Sequence, residues 1–255
     1  MPGPSSSDTP VSALPPAEFA AAAAQIFGDR LPLAVGYAEW LIGDGVVRGL
    51  IGPREAPRVW ERHLINCAVV ADLIPPGGSV VDVGSGAGLP GIVLAVARPD
   101  LAITLVEPLA RRTVFLSEVV TALDLGATVT VHRGRAEDLA GEPLLAADVV
   151  TARAVAPLDR LAGWCLPLTA VGGRLLALKG ASAADEIAEH RDAVVKLGGG
   201  EPVVRRCGAG LIEPPTTVVE IVRERVVPTR PPKRAAGSGR SASGAGAGRR
   251  RSRRG

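Results

Sequence analysis

The chain has 255 residues, of which 47% are apolar and 22% charged, with a mean hydropathy of +0.24; this is enough for a sizeable core and excludes fibrous and wholly disordered classes. The formal net charge is +3, but nine Arg and Lys residues and no acid follow Pro228, so the body before them holds 20 basic against 26 acidic side chains, a net charge of −6. A DNA-binding fold that works through a basic body is not what this balance supports. Cys67, Cys165 and Cys207 are odd in number, far apart and in apolar surroundings, so neither a disulfide framework nor a zinc site is expected. The opening MPGPSSSDTPVSAL has no basic leader and no later run suits a membrane span, which points to a cytoplasmic protein.

In chain order, residues 1–14 are Pro/Ser-rich and read as disordered. Residues 15–75 form a helical N-terminal segment, whose clearest stripe is Trp60, Leu64, Cys67, Ala71 and Ile74 on one face of a helix starting near Pro57. Pro75-Pro76-Gly77-Gly78 ends it, and the period then changes to β-branched runs alternating with helical stretches. Strands are predicted at 79–83, 101–106, 127–132, 147–151, 173–179, 202–207 and 216–223. Helices are predicted at 88–97, 109–124, from Pro157, and at 183–196. The fold class is α/β: a doubly wound, mostly parallel seven-stranded sheet covering 76–228, Rossmann-like, with helices on both faces. Residues 229–255 have no apolar periodicity and read as a disordered basic tail.

The strongest local signal is VVDVGSGAGLPG: a strand, then Asp82, then Gly84, Gly86 and Gly88, then a helix. In a doubly wound sheet a ligand sits outside the carboxyl end of the first strand, where glycine lets the backbone approach closely. The dinucleotide pattern G-x-G-x-x-G also fits at Gly86, Gly88 and Gly91, but the register argues against it, because the glycines begin directly at the strand end with an acid two residues before Gly84. Glu107, about twenty residues beyond the glycines, can accept ribose hydroxyl protons in either case. Ala136 and Glu137 follow the third strand, where the alternative reading of the acid is simple helix N-terminal charge. Arg153 follows the strand 147–151 and faces the crevice, while Lys179 ends the next strand near the same mouth. His63, His132 and His190 form no legible triad with a Ser or Cys nucleophile.

The loop Gly84 to Gly88 resembles the nucleoside-binding loop of S-adenosylmethionine (SAM) methyltransferases. Together with residues 59–119, RGRAEDL, TARAVAPL, LALKG and PPTTVV, it makes the chain resemble the RsmG (GidB) family from about Gly36 to Val222. The resemblance implies transfer of a methyl group from SAM to N7 of a guanine in 16S rRNA, with the 30S subunit as partner. An acidic body of this size gives no reason to expect more than a monomer, and neither a membrane nor DNA is expected as a partner. The resemblance places cofactor contacts at Gly84, Leu89, Ala136, Glu137 and Arg153, with Glu107 where the ribose-binding acid is expected, and the reading of the loop itself adds Asp82, Gly86 and Gly88 to the cofactor side. Arg62, His63 and Lys179 are candidates on the substrate side, and no catalytic base is needed, because N7 releases no proton on attack. Gly49-Leu50-Ile51 stands where many members carry an Asn-Leu-Thr-like triplet, a departure next to the substrate side. Two other classes stay open on the residues alone: an NAD-dependent oxidoreductase using Gly86, Gly88 and Gly91, and a non-catalytic RNA-binding assembly factor.

The nine tail charges are expected to raise rRNA affinity through counterion release. Deleting 229–255 should then flatten the dependence of rRNA affinity on salt concentration, and an unchanged slope would refute that role.

Overall fold

The computed structural model describes residues 11–139, 146–153 and 156–228; the tail and the N-terminal ten residues lie outside them. Seven strands form one sheet: β1 (Ser79–Val83), β2 (Ala102–Glu107), β3 (Val129–Arg133), β4 (Ala147–Arg153), β5 (Thr169–Lys179), β6 (Val203–Cys207) and β7 (Thr216–Val222), in the order β3-β2-β1-β4-β5-β7-β6. All neighbours are parallel except where β7 runs against β5 and β6. The doubly wound, mostly parallel sheet is as expected. Its order differs from the 3-2-1-4-5-6 of dinucleotide-binding sheets, because an antiparallel strand is wedged in before the last.

The two-residue period of the strands sorts their side chains into two cores. Val80, Ile103, Leu105, Val149, Leu176 and Val218 point to one face; Val81, Val83, Val106, Val150, Leu175 and Val219 point to the other. The first face is covered by α1 (Ala17–Phe27), α2 (Leu31–Trp40), α4 (Gly91–Ala97) and α5 (Ala110–Ala122). The second lies under α6 (Leu158–Cys165) and α7 (Ala183–Lys196). Among the described residues no helix is long and apolar enough to cross a membrane.

The N-terminal helices share the first core rather than standing off it. Trp60, Leu64, Cys67, Ala71 and Ile74 are all buried. Their helix is not regular, however: a π-helical turn (Trp60–Ile65) leads into a single α turn, α3 (Asn66–Ala68), and a 3-10 stretch (Val69–Leu73). The reason is burial on more than one side. His63 and Ile65 are covered as well as Trp60 and Leu64, and the widened turn lets neighbouring residues face inward together. Trp60 meets the Phe27 ring edge-to-face at 6.1 Å and donates its Nε1–H to Ala13 O at 2.8 Å. Arg98 of the Arg-Pro dipeptide forks onto Asp100 and donates to the carbonyls of Ala71 and Ile74, closing the end of that run.

Several predicted boundaries move by one to four residues. The helix expected from 88 starts at Gly91, because Gly88 sits at φ +101°, a left-handed conformation that no helix continues. The strand expected at 147–151 runs on to Arg153 through pairing with Leu178, and β5 begins at Thr169 rather than 173, opposite Ala147.

Tyr37 of α2 is fully buried and donates its hydroxyl to Ala87 O at 2.8 Å, so the N-terminal helices reach the glycine loop. Tyr37→Phe leaves that carbonyl without its partner and should cost about 1–3 kcal/mol. Urea unfolding would show this as a lower midpoint at unchanged slope.

Candidate active site

Register decides what meets at the mouth of the sheet. Val83, the last residue of β1, lies opposite Val106 of β2 and Ala152 of β4. The chain leaving at Gly84 therefore enters a crevice flanked by Glu107 on one side and Arg153 on the other. Gly84, Gly86 and Gly88 all have positive φ, at 70°, 59° and 101°. A side chain at Gly86 would meet nothing nearer than Gly84 O at 3.8 Å, so the loop presents bare backbone to the crevice. Leu89 is buried beneath the loop.

Asp82 fixes this loop from below. Its carboxylate is fully buried; Oδ2 accepts the Gly91 N–H and Oδ1 the Thr151 hydroxyl, both at 3.1 Å. Burial pushes its pKa up to about 6, against the opposing pull of those hydrogen bonds and of Arg153. Gly91 is needed for this approach, since a Cβ there would press on Leu105 and lie 2.9 Å from Asp82 Oδ2.

Glu107 is 1% exposed and grips the loop from the side. Oε2 accepts the Gly86 N–H and Oε1 the Leu109 N–H, both at 3.0 Å, with Arg112 Nη1 3.6 Å away. A carboxylate has about four lone-pair sites, so it can still accept from a ligand's hydroxyls. Beside it opens a slot of about 150 Å³ whose walls include Val83, Val106, Ala136, Glu137 and Trp164. Ala136 is buried and Glu137 exposed on the 3-10 turn Ala136–Asp138. Such a slot, apolar with one acid at its rim, suits a flat heteroaromatic ring.

Arg153 also walls a polar cavity of about 410 Å³, together with Glu55, Arg62, His63, Asn66 and Glu213 among others. Arg153 Nη1 donates to Arg62 O at 3.2 Å and to His63 Nδ1 at 3.1 Å. Burial, reinforced by the positive charges of Arg153 and Arg62, lowers the His63 pKa to about 4, so the ring is neutral at pH 7. Arg62, His63 and Arg153 are thus brought together. Lys179 is not: its ammonium donates to Ala156 O and Glu186 Oε2, each at 2.7 Å, and lines neither cavity.

Sequence reasoning missed Tyr37, Glu55, Glu213 and the place of Trp164. Tyr37 could have been noticed as the single tyrosine in the chain. Glu55 and Glu213 carry no local signal, because a turn and a distant loop bring them together.

Comparison with known proteins identifies the family. The family described as rRNA small subunit methyltransferase G (GidB) matches residues 30–213. A Salinispora tropica protein named ribosomal RNA small subunit methyltransferase G is 70% identical over 226 residues, 87% of this chain and 93% of its own length. Its Rhodococcus jostii namesake is 57% identical over 222 residues, covering 86% and 96%. Among solved structures, a SAM-dependent O-methyltransferase from Thermotoga maritima superposes with a TM-score of 0.50 at 15% identity, over 65% of this chain and 66% of that one, a likeness of fold alone.

Among the buried titratable groups, His63 and Asp82 have opposite effects on stability. Unfolded His63 takes a proton near pH 6.5 but the folded chain only near 4, so its contribution is lost as pH falls through that window, at about 1.4 kcal/mol per unit. Folded Asp82 takes its proton near 6 and unfolded only near 3.8, so stability is gained over much the same range. His63→Gln removes only the first effect. In urea unfolding at pH 7 and pH 4.5, the variant should gain on the wild type at the lower pH, and a constant difference would contradict the buried, neutral imidazole.

Proposed function

The chain belongs to the family described as rRNA small subunit methyltransferase G, and we propose that it transfers a methyl group from SAM to N7 of one guanine in the 16S rRNA of the small ribosomal subunit. The observation that carries this reading is a pair of unlike cavities at the carboxyl edge of the sheet, the second of them walled by Arg153. One is an apolar, ring-sized slot beside Glu107; the other is polar and large enough for a nucleobase.

SAM supplies an electrophilic sulfonium methyl. The chain's own residues fit it: Gly84, Gly86 and Gly88 offer bare backbone, Glu107 accepts from the ribose hydroxyls, and Ala136 and Glu137 border the adenine slot. Asp82 holds the loop, Leu89 supports it from beneath, and Arg153 walls the polar cavity on the substrate side. No side chain has to take a proton at the accepting atom, because N7 attacks with a lone pair and bears no hydrogen. What the protein contributes is proximity and in-line orientation.

The exposed Arg62, Arg111, Arg133, Arg135 and Arg160 lie on segments at or following the carboxyl edge of the sheet, so an overall acidic body still carries cations for phosphates near its site. In this reading the protein acts as a cytoplasmic monomer on the small subunit.

Radiolabelled methyl transfer from SAM to undermethylated 30S subunits should yield labelled 7-methylguanosine. Glu107→Ala should weaken SAM binding by calorimetry at least about tenfold, since the loop N–H of Gly86 loses its partner along with the ribose. Absence of label with wild-type protein, or undiminished SAM affinity in the variant, would overturn the assignment.

A further inference from the structure

The polar cavity contains a buried donor without a partner beside a half-buried carboxylate that only a long 3.4 Å ion pair with Arg62 engages. Arginine only donates, so the contact from Arg153 Nη1 makes His63 Nδ1 an acceptor. The ring's proton is therefore on Nε2. His63 is 6% exposed, and its Nε2 is buried with no hydrogen-bond partner. Its nearest acid oxygen, Glu55 Oε2, is 3.4 Å away in a geometry that makes no hydrogen bond. Arg62 Nε stands at the same 3.4 Å from that oxygen. By contrast, Glu61 in the same wall is engaged by the Arg58 guanidinium, at 3.0 and 2.8 Å.

A buried N–H without a partner costs free energy unless a ligand completes it. The ligand that completes this pair must present an acceptor beside a donor. Guanine does so through O6 and N1–H, and adds the exocyclic amine for the second carboxylate oxygen. Adenine and cytosine present the reverse order, a donor amine beside an acceptor nitrogen.

Resting on the methyltransferase reading above, we propose that His63 and Glu55 read the Watson–Crick edge of the accepting guanine, His63 Nε2–H donating to O6 while the Glu55 carboxylate accepts from N1–H and the 2-amino group. The Hoogsteen side then carries N7 free of any donor, as a nucleophile must be. Arg153 acts through His63: by donating to Nδ1 it holds the tautomer that can donate to O6. A protonated or flipped imidazole would not make the same discrimination.

The test compares rRNA substrates carrying guanosine, inosine or 2,6-diaminopurine at the target position, assembled into subunits, with wild-type protein and with Glu55→Ala, His63→Leu and His63→Gln. SAM affinity by calorimetry and thermal unfolding accompany each variant. Wild type should methylate guanosine best, inosine several-fold less well for want of the 2-amino group, and 2,6-diaminopurine not detectably, although that base keeps N7. Glu55→Ala should lower kcat/KM for guanosine roughly ten- to a hundredfold and abolish the preference over inosine, with SAM affinity retained. His63→Leu should fall similarly, and His63→Gln, which keeps a donor N–H, should recover much of the loss. The inference is overturned if Glu55→Ala keeps the guanosine preference, or if wild type accepts 2,6-diaminopurine as readily as guanosine. No transfer to guanosine by wild-type protein would remove the methyltransferase reading and this inference with it.

Discussion

The buried carboxylate of Asp82 ties three elements to one point, and the geometry of the site follows from it. Through Gly91 it fixes where α4 begins, through Thr151 it fixes β4 against β1, and through its own backbone carbonyl it receives Ser85 Oγ at 2.9 Å. Taking a carboxylate out of water is costly, and the upward shift of its pKa measures what the hydrogen bonds do not offset. The return is rigidity. With both ends of the loop pinned, Gly84 and Gly86 hold a left-handed backbone facing the crevice.

Glu107 and Tyr37 complete that restraint from two other directions. Glu107 bonds the loop's Gly86 N–H from β2, and Tyr37 bonds its Ala87 carbonyl from α2. The N-terminal helices therefore brace the glycine loop as well as covering the first core. The same helices supply His63 and, just before the π-helical turn, Glu55. One segment thus supports the glycine loop through Tyr37 and walls the second cavity through His63, so the two sides of the site cannot shift independently.

Strand periods, the Pro75-to-Gly78 break and the glycine spacing made most of the architecture legible in the sequence, since each depends on local chemistry. Asp82, Glu107 and Arg153 were legible for a related reason: each sits at the carboxyl end of a parallel strand, and a strand's position in the sheet tells where its end lies. Lys179 obeyed the same rule and still went elsewhere, because Glu186, one turn into α7, captures its ammonium. The π-helical turn was not legible. Its stripe fits an ordinary helix, and the widening depends on how much apolar surface the sheet and α1 offer from several sides. Glu55 and Glu213 were equally hidden, since their meeting depends on tertiary contacts separated by more than a hundred residues.

Arg153 links the strand end beside the glycine loop to the polar cavity it walls. Its place is set by strand pairing, opposite Leu178 and one step beyond Ala152. From there its charge lowers the pKa values of Asp82 and His63 alike, favouring the charged carboxylate under the loop and the neutral imidazole in the second cavity. A lysine would supply the charge, but its ammonium lacks the planar, fixed set of donors that reaches the Arg62 carbonyl and the His63 ring from one nitrogen. Arginine suits this position because one guanidinium nitrogen reaches both partners, while burial, which leads both shifts, raises the pKa of Asp82 and lowers that of His63 with the Arg153 charge acting beside it.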